Sequence, residues 1–242
     1  MKTVAVVQAR MGSTRLPGKV LLDLAGEPVL VRDMNRLSRS RTLDEVIVAT
    51  TVKPADDVII DLCQKRDWPY FRGSEADVLD RYYRAAKRYH ADVVVRITSD
   101  CPLIEPQVVD RVVQEFLNRQ PQVDYVSNIA PKRTFPRGLD TEVMRFDVLE
   151  RAWREDDNPA WREHVTLYVR RHPDLFQSYG VLNDEDVSRM RWTVDTPEDL
   201  ALVRRIYEHF GHDRFSWQEV LALLKANPEW LDINRHVQQK GI

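Results

Sequence analysis

Three short runs rich in β-branched residues, Thr3 to Gln8, Glu45 to Thr51 and Asp92 to Thr98, constrain the fold more than any other feature of the chain. Each reads as a strand buried on both faces. Amphipathic stretches separate them. Pro28 to Arg39 sets Val29, Leu30, Met34 and Leu37 near one face, and Pro54 to Arg66 does the same with Val58, Ile59 and Leu62. Pro28 and Pro54 each suit a first helical turn, where the missing N–H costs nothing. Further helices are predicted over Glu75 to Tyr89 and Pro106 to Asn118. Strands and helices alternating through short connections imply an α/β fold, a mostly parallel sheet covered on both faces.

Beyond residue 120 the alternation loosens. Strands are expected at Asp124 to Ser127 and Glu142 to Phe146, with Pro131, Pro136 and Gly138 breaking the chain between them as in an excursion from the sheet. Helical patterns return at Phe146 to Arg154 and Glu163 to Arg171, and Met190 to Val194 reads as a last strand. Thr196-Pro197-Glu198-Asp199 combines an N-cap, a first-turn proline and two first-turn acids, so a helix is predicted from there to about Phe210, and another over Ser216 to Ala226.

The chain has 242 residues, 43% of them hydrophobic, with 36 Lys+Arg against 38 Asp+Glu. That composition excludes a disordered chain and supports one substantial core, with an arm expected at about 130–170 and no second independent domain. The formal charge of −2 argues against a dedicated nucleic-acid binder, which concentrates a basic excess on phosphates. The two cysteines, Cys63 and Cys101, form no CxxC pair and are expected to be reduced. No apolar run is long enough for a signal peptide or a membrane helix, so a cytoplasmic protein with no membrane partner is expected.

The loop after the first strand, Gln8-Ala9-Arg10-Met11-Gly12-Ser13-Thr14-Arg15-Leu16-Pro17-Gly18-Lys19, carries three cations, two glycines and two hydroxyls. Open α/β sheets bind ligands at the carboxyl ends of their strands. Glycines admit anionic oxygens to backbone N–H groups, arginine offers a planar fork and lysine a point charge, so the loop suits a polyphosphate or else is a basic surface loop. It is not a P-loop, since five residues separate Gly12 from Gly18 and Val20 follows Lys19; nor does it fit GxGxxG. Two carboxylates stand at comparable places. Asp100 follows Val93, Val94, Val95 and Ile97, and Asp195 follows Arg191-Trp192-Thr193-Val194. Either is placed for a ligand, or for capping the helix that follows.

The string Gln8-Ala9-Arg10-x-x-Ser13-Thr14-Arg15-Leu16-Pro17-Gly18-Lys19 resembles the signature loop of the CMP-sugar synthetases, cytidylyltransferases that activate Kdo, sialic acid and related nonulosonic acids, and most of all their spore-coat-polysaccharide SpsF-like branch. The resemblance runs from Val4 to about Tyr207. It implies a three-layer nucleotide-diphospho-sugar transferase fold of GT-A type with a small substrate and dimerisation arm. It also implies a nucleotide site at Gln8, Ala9, Arg10, Gly12, Ser13, Arg15 and Lys19, with Ser74, Asp77 and Arg81 at the base or ribose. Ser99-Asp100-Cys101-Pro102-Leu103 and Val194-Asp195-Thr196-Pro197 are similar to the two places where Kdo-type enzymes supply aspartates to Mg²⁺. Arg10, Lys19, Asp100 and Asp195 are then the expected catalytic set.

The same resemblance implies sugar contacts at Arg133, Arg137, Asp140 and Glu142, within a Phe-Pro-Arg-Gly-Leu-Asp-x-Glu string, and at His164 and Tyr168, four apart on a predicted helix. Arg170 stands where Kdo enzymes place a second tyrosine, a departure that argues against Kdo itself. The implied reaction joins CTP and a sugar acid into a CMP-sugar and pyrophosphate, in a homodimer. Two alternatives remain from the residues: a GT-A glycosyltransferase, although Ser99-Asp100-Cys101 departs from DxD, and a non-catalytic nucleotide-binding regulator, for which a metal pair has no use.

Overall fold

A computed structural model describes residues 1–239. In chain order its main elements are β1 (Thr3–Gln8), β2 (Asp23–Leu24), β3 (Glu27–Pro28), α1 (Val29–Leu37), β4 (Glu45–Thr51), α2 (Asp57–Lys65), β5 (Tyr70–Gly73), α3 (Val78–Arg88) and β6 (Val93–Thr98). There follow α4 (Pro106–Asn118), β7 (Tyr125–Ser127), β8 (Glu142–Arg145), α5 (Phe146–Glu155), α6 (Pro159–Arg162), α7 (Leu167–Arg171), β9 (Ser178–Gly180), α8 (Pro197–Phe210) and α9 (Trp217–Ala226).

Seven strands form one sheet in the order β5-β4-β1-β6-β8-β7-β9, and β2 with β3 makes a small separate hairpin. The first four are mutually parallel, while β8 runs antiparallel to both β6 and β7. Gln8 lies opposite both Ala49 and Thr98, so three carboxyl ends finish side by side. The uninterrupted apolar runs follow from burial on two sides. Ala5, Val7, Val48 and Val95 pack with Leu30, Met34, Val109 and Val203, whereas Val4, Val6, Ile47 and Val94 pack with Leu79, Tyr82, Leu149 and Val169. The Tyr82 hydroxyl ties the layers together, donating towards the carbonyls of Val6 and Ile97.

Local signals explain the helix ends. Thr196 caps α8 through a reciprocal capping box with Asp199, Pro197 opens the first turn, and Gly211 closes it in the left-handed region at φ 69°. Glu105 caps α4 ahead of Pro106. Three expectations need correction. The helix predicted from Glu75 starts at Val78, because Asp77 takes the capping position and accepts from the Asp80 N–H. Only Leu167–Arg171 of the stretch 163–171 is helical: Val165 adopts φ 55° and the Thr166 hydroxyl is drawn to Glu142, so His164 and Tyr168 do not share a helix. Met190 to Val194 is not a strand. Its partners are loop residues, with one bridge between Arg137 and Arg191 and a bond from the Val194 N–H to the Asp100 carbonyl, so no ladder forms.

Within the stretch 130–170, β8 is an inner strand of the sheet and Leu149 of α5 packs in the layer of α3. Cys63 and Cys101 are buried free thiols. Among the described residues no helix is long and apolar enough to cross a membrane.

Candidate active site

The loop leaving β1 is pinned before it is charged. The Met11 N–H donates to Asp56 at 2.6 Å, and the other oxygen of Asp56 accepts the Thr51 hydroxyl. The Ser13 and Gly18 N–H groups both donate to the Met11 carbonyl, folding the loop back on itself. Gly18, at φ 67°, caps a single turn spanning Lys19–Leu21 and redirects the chain. The Lys19 ammonium thereby reaches Asp100 Oδ2 at 2.6 Å and Asp195 Oδ1 at 2.7 Å, uniting groups 81 and 176 residues away in sequence.

Asp100 and Asp195 are brought together by backbone. The Asp100 carbonyl accepts from the Val194 N–H at 2.7 Å and from the Thr193 hydroxyl at 3.1 Å. Asp195 Oδ2 then receives Arg15 at 2.9 Å and Arg191 at 2.6 Å, and Arg191 is fixed from behind by the fully buried Asp199 at 2.9 Å. Burial alone would raise Asp100, but the Lys19 charge and hydrogen bond outweigh it and hold the carboxyl well below its ordinary value. Burial likewise opposes the Lys19 charge, and the two carboxylates overcome it, raising the ammonium. Asp33 on α1 lies fully buried with no partner for either oxygen among the described residues; burial first, then the Asp100 charge, push it far up.

A second group lies around the ends of β1 and β5. Gln8 Oε1, Thr50 Oγ1 and Arg81 Nε are buried without partners, while Arg81 Nη1 donates to the Ser74 carbonyl at 2.5 Å. A Cβ at Gly73 would stand 3.0 Å from the Arg81 side chain, so glycine lets the strand end approach. Gly12 faces Glu75 across the cleft, where a Cβ would be 3.4 Å from its carboxylate. Ala9 is buried and extends the sheet pairing of β1 by donating to the Ala49 carbonyl. Ser13 Oγ stays inside the loop, accepting from the Leu16 N–H. Arg10 is partly exposed, and its one acid within 4.0 Å among the described residues is Glu163, at 3.8 Å. Asp77 donates its N–H to Ser74 Oγ at 3.0 Å, while its carboxylate caps α3 and pairs with Arg162 at 2.8 Å.

The residues expected at a sugar divide. Arg133 grips Asp140 with both arms of its guanidinium. Arg137 has no acidic partner within 4.0 Å among the described residues; burial first, then Arg133, push it down. Glu142 is 1% exposed and accepts from Arg96, Tyr125 and Thr166, which together outweigh burial and keep it below its usual range. His164 is half-buried, and desolvation lowers it. Tyr168 donates to Glu155 at 3.1 Å and lies against the His172 ring, inside helix packing.

Sequence reasoning passed over Arg191, Asp199 and Asp56. The i, i+4 spacing from Arg191 to Asp195 and on to Asp199 was the available signal for the first two; nothing local marked Asp56.

A mixed, mostly parallel sheet whose carboxyl ends carry a cation-rich loop facing paired carboxylates is the arrangement of a nucleotidyltransferase-type α/β fold. Comparison with known proteins narrows this: the cytidylyltransferase family model matches residues 4–222, and the chain belongs to that family. The Bacillus subtilis spore coat polysaccharide biosynthesis protein SpsF is 33% identical, covering 93% of this chain and 94% of its own. A cytidylyltransferase structure from Leptospira borgpetersenii superposes with a TM-score of 0.92 at 35% identity, covering 100% of both chains. The structure of CMP:2-keto-3-deoxy-manno-octonic acid synthetase complexed with CTP shares the fold, with a TM-score of 0.66 at 21% identity over 86% of this chain and 99% of that one.

Proposed function

We propose that the chain transfers the cytidylyl group of CTP to a nonulosonic or ulosonic sugar acid, releasing pyrophosphate, as a cytoplasmic step in making a surface polysaccharide or glycan. The carrying observation is the convergence of Lys19 on Asp100 and Asp195 beside Arg15. Two carboxylates close enough to share one ammonium are close enough to share one divalent ion, and their hard oxygens suit Mg²⁺. When bound, Mg²⁺ supplies charge neutralisation at the phosphates and acidifies a coordinated hydroxyl.

The protein's own groups do the rest. Arg10, Arg15 and Lys19 hold the triphosphate, with Gly12 and Ser13 giving it room, and neutralise the departing pyrophosphate. Gln8, Arg81 and Ser74 border the nucleoside, where unpartnered buried atoms await hydrogen bonds. The sugar's anomeric hydroxyl attacks the α-phosphorus in line, so positioning supplies most of the rate. Arg137, a cation without an acid, suits the sugar carboxylate better than Arg133, whose fork Asp140 occupies. His164 borders Arg10 through its neighbour Glu163. Glu142 and Tyr168 serve from behind, and Asp77 by fixing α3. The whole chain acts as one catalytic unit. It pairs with a second copy through edge strand β9, flanked by the exposed Leu175 and Leu182 and carrying the exposed Tyr179.

Pyrophosphate release, followed with CTP, Mg²⁺ and a panel of sugar acids, tests the reading. Asp100→Asn is expected to lower turnover by about two orders of magnitude or more while the circular dichroism stays native. Transfer from a ready-made sugar nucleotide, with no pyrophosphate from any acid, would replace this reading with glycosyl transfer.

A further inference from the structure

Arg36, Arg39, Arg41 and Arg214 surround a cavity of about 400 Å³ that shares no residue with the candidate active site. It opens between the end of α1, the start of α4 and the start of α9. Two of the guanidinium groups are fixed. Arg36 is buried and donates to the carbonyls of Ile104 and Asp213 at 2.6 and 2.7 Å, and Arg39 donates to the Asp213 carboxylate at 2.9 Å. Arg41 and Arg214 are exposed, with no acid within 4.0 Å of either among the described residues.

The acids at the wall do not balance them. Glu105 accepts from Arg36 and from the Trp217 N–H, and Asp110 accepts from Ser40, from Thr42 and from the Arg41 N–H. Both are turned to local donors. With Asp213 on Arg39 and Glu105 on Arg36, the excess falls on Arg41 and Arg214, two guanidinium groups that border one void with no acid within 4.0 Å among the described residues, and an anion between them would offset their repulsion. The volume falls in the range of small-ligand sites, and paired planar forks match phosphoryl oxygens.

We propose that this cavity binds a small phosphorylated metabolite, with Arg41 and Arg214 closing on its phosphoryl oxygens beside the fixed positive charges of Arg36 and Arg39. Arg36, at its wall, holds the carbonyl of the buried Ile104, four residues after Asp100. Occupancy is thereby linked to the segment that carries a candidate catalytic carboxylate. The binding itself does not depend on cytidylyl transfer.

Calorimetric titration with inorganic phosphate, pyrophosphate and CMP, each separately, tests it on Arg10→Ala/Arg15→Ala/Lys19→Ala protein, in which the active-site grip on phosphate is removed. At least one probe is expected to bind at one equivalent. Adding Arg41→Ser and Arg214→Ser should weaken that binding about tenfold or more at unchanged melting temperature, and lysine at both positions should weaken it less. Tightest binding of CMP identifies a nucleotide ligand, and tightest binding of phosphate or pyrophosphate a free inorganic anion. Absence of binding by every probe in the parent variant, or equal binding with and without Arg41 and Arg214, overturns the proposal.

Discussion

At Glu142 the chain buries a carboxylate completely and keeps it ionised, because Arg96, Tyr125 and Thr166 all donate to it. Removing one partner of a buried pair leaves the other charge uncompensated, so Glu142→Ala is expected to destabilise the fold by about 3–5 kcal/mol, read as a lower urea midpoint. Loss of activity with unchanged stability would instead mean direct contact with substrate. The resemblance put forward Glu142, Asp77 and Tyr168 as candidates but not the direction of their side chains, which Arg96, Tyr125 and Thr166, Arg162 of α6, and Glu155 of α5 decide. The loop 8–19 was legible because its chemistry is local: Gly18 turns the chain and three cations follow from composition. Arg191 was less so, since its importance comes from meeting Asp199 behind Asp195.

Among the elements, those with punctuation were readable in the sequence. Pro106 and Pro197 both open helices where a first-turn proline belongs, and α8 keeps its predicted cap. Residues 190–194 were misread because an apolar run records burial and not pairing, and the partners here are loops. Gly138 makes that loop pairing possible. At φ 106°, a Cβ added there would stand 2.7 Å from the Trp192 backbone. Gly138→Ala therefore pushes 191–193 away from 137–139, and through Thr193 and Val194 shifts Asp195 relative to Asp100. Turnover is expected to fall about tenfold or more, from a strain of about 1–3 kcal/mol and a displaced carboxylate, with a smaller loss of thermal stability. Wild-type kinetics in that variant would show that the two segments move independently.

For the whole molecule, the near-zero net charge hides buried ionised pairs, and pH should separate them. Glu142 and Asp213 are held below their ordinary values in the fold, so their stabilisation is present above the unfolded carboxyl values near 4 and is lost as pH falls through the lower folded ones. His164, lowered by burial, adds a loss that begins as pH falls below about 6.5, where the unfolded chain takes up the proton first. Urea midpoints are expected to decline gently from pH 7 to 5 and steeply below about 4. A flat profile from pH 5 to 3 would show that these groups keep their ordinary affinities. The Lys19 bridge also has a consequence for how the protein is made. Strands β5, β4, β1 and β6 have all been synthesised by Thr98, with the cationic loop among them, yet Asp195 is added only after β9. A growing chain thus carries its cationic loop long before it holds the second carboxylate, so a product terminated before Asp195 keeps the three cations but lacks one of the two acids that Lys19 bridges.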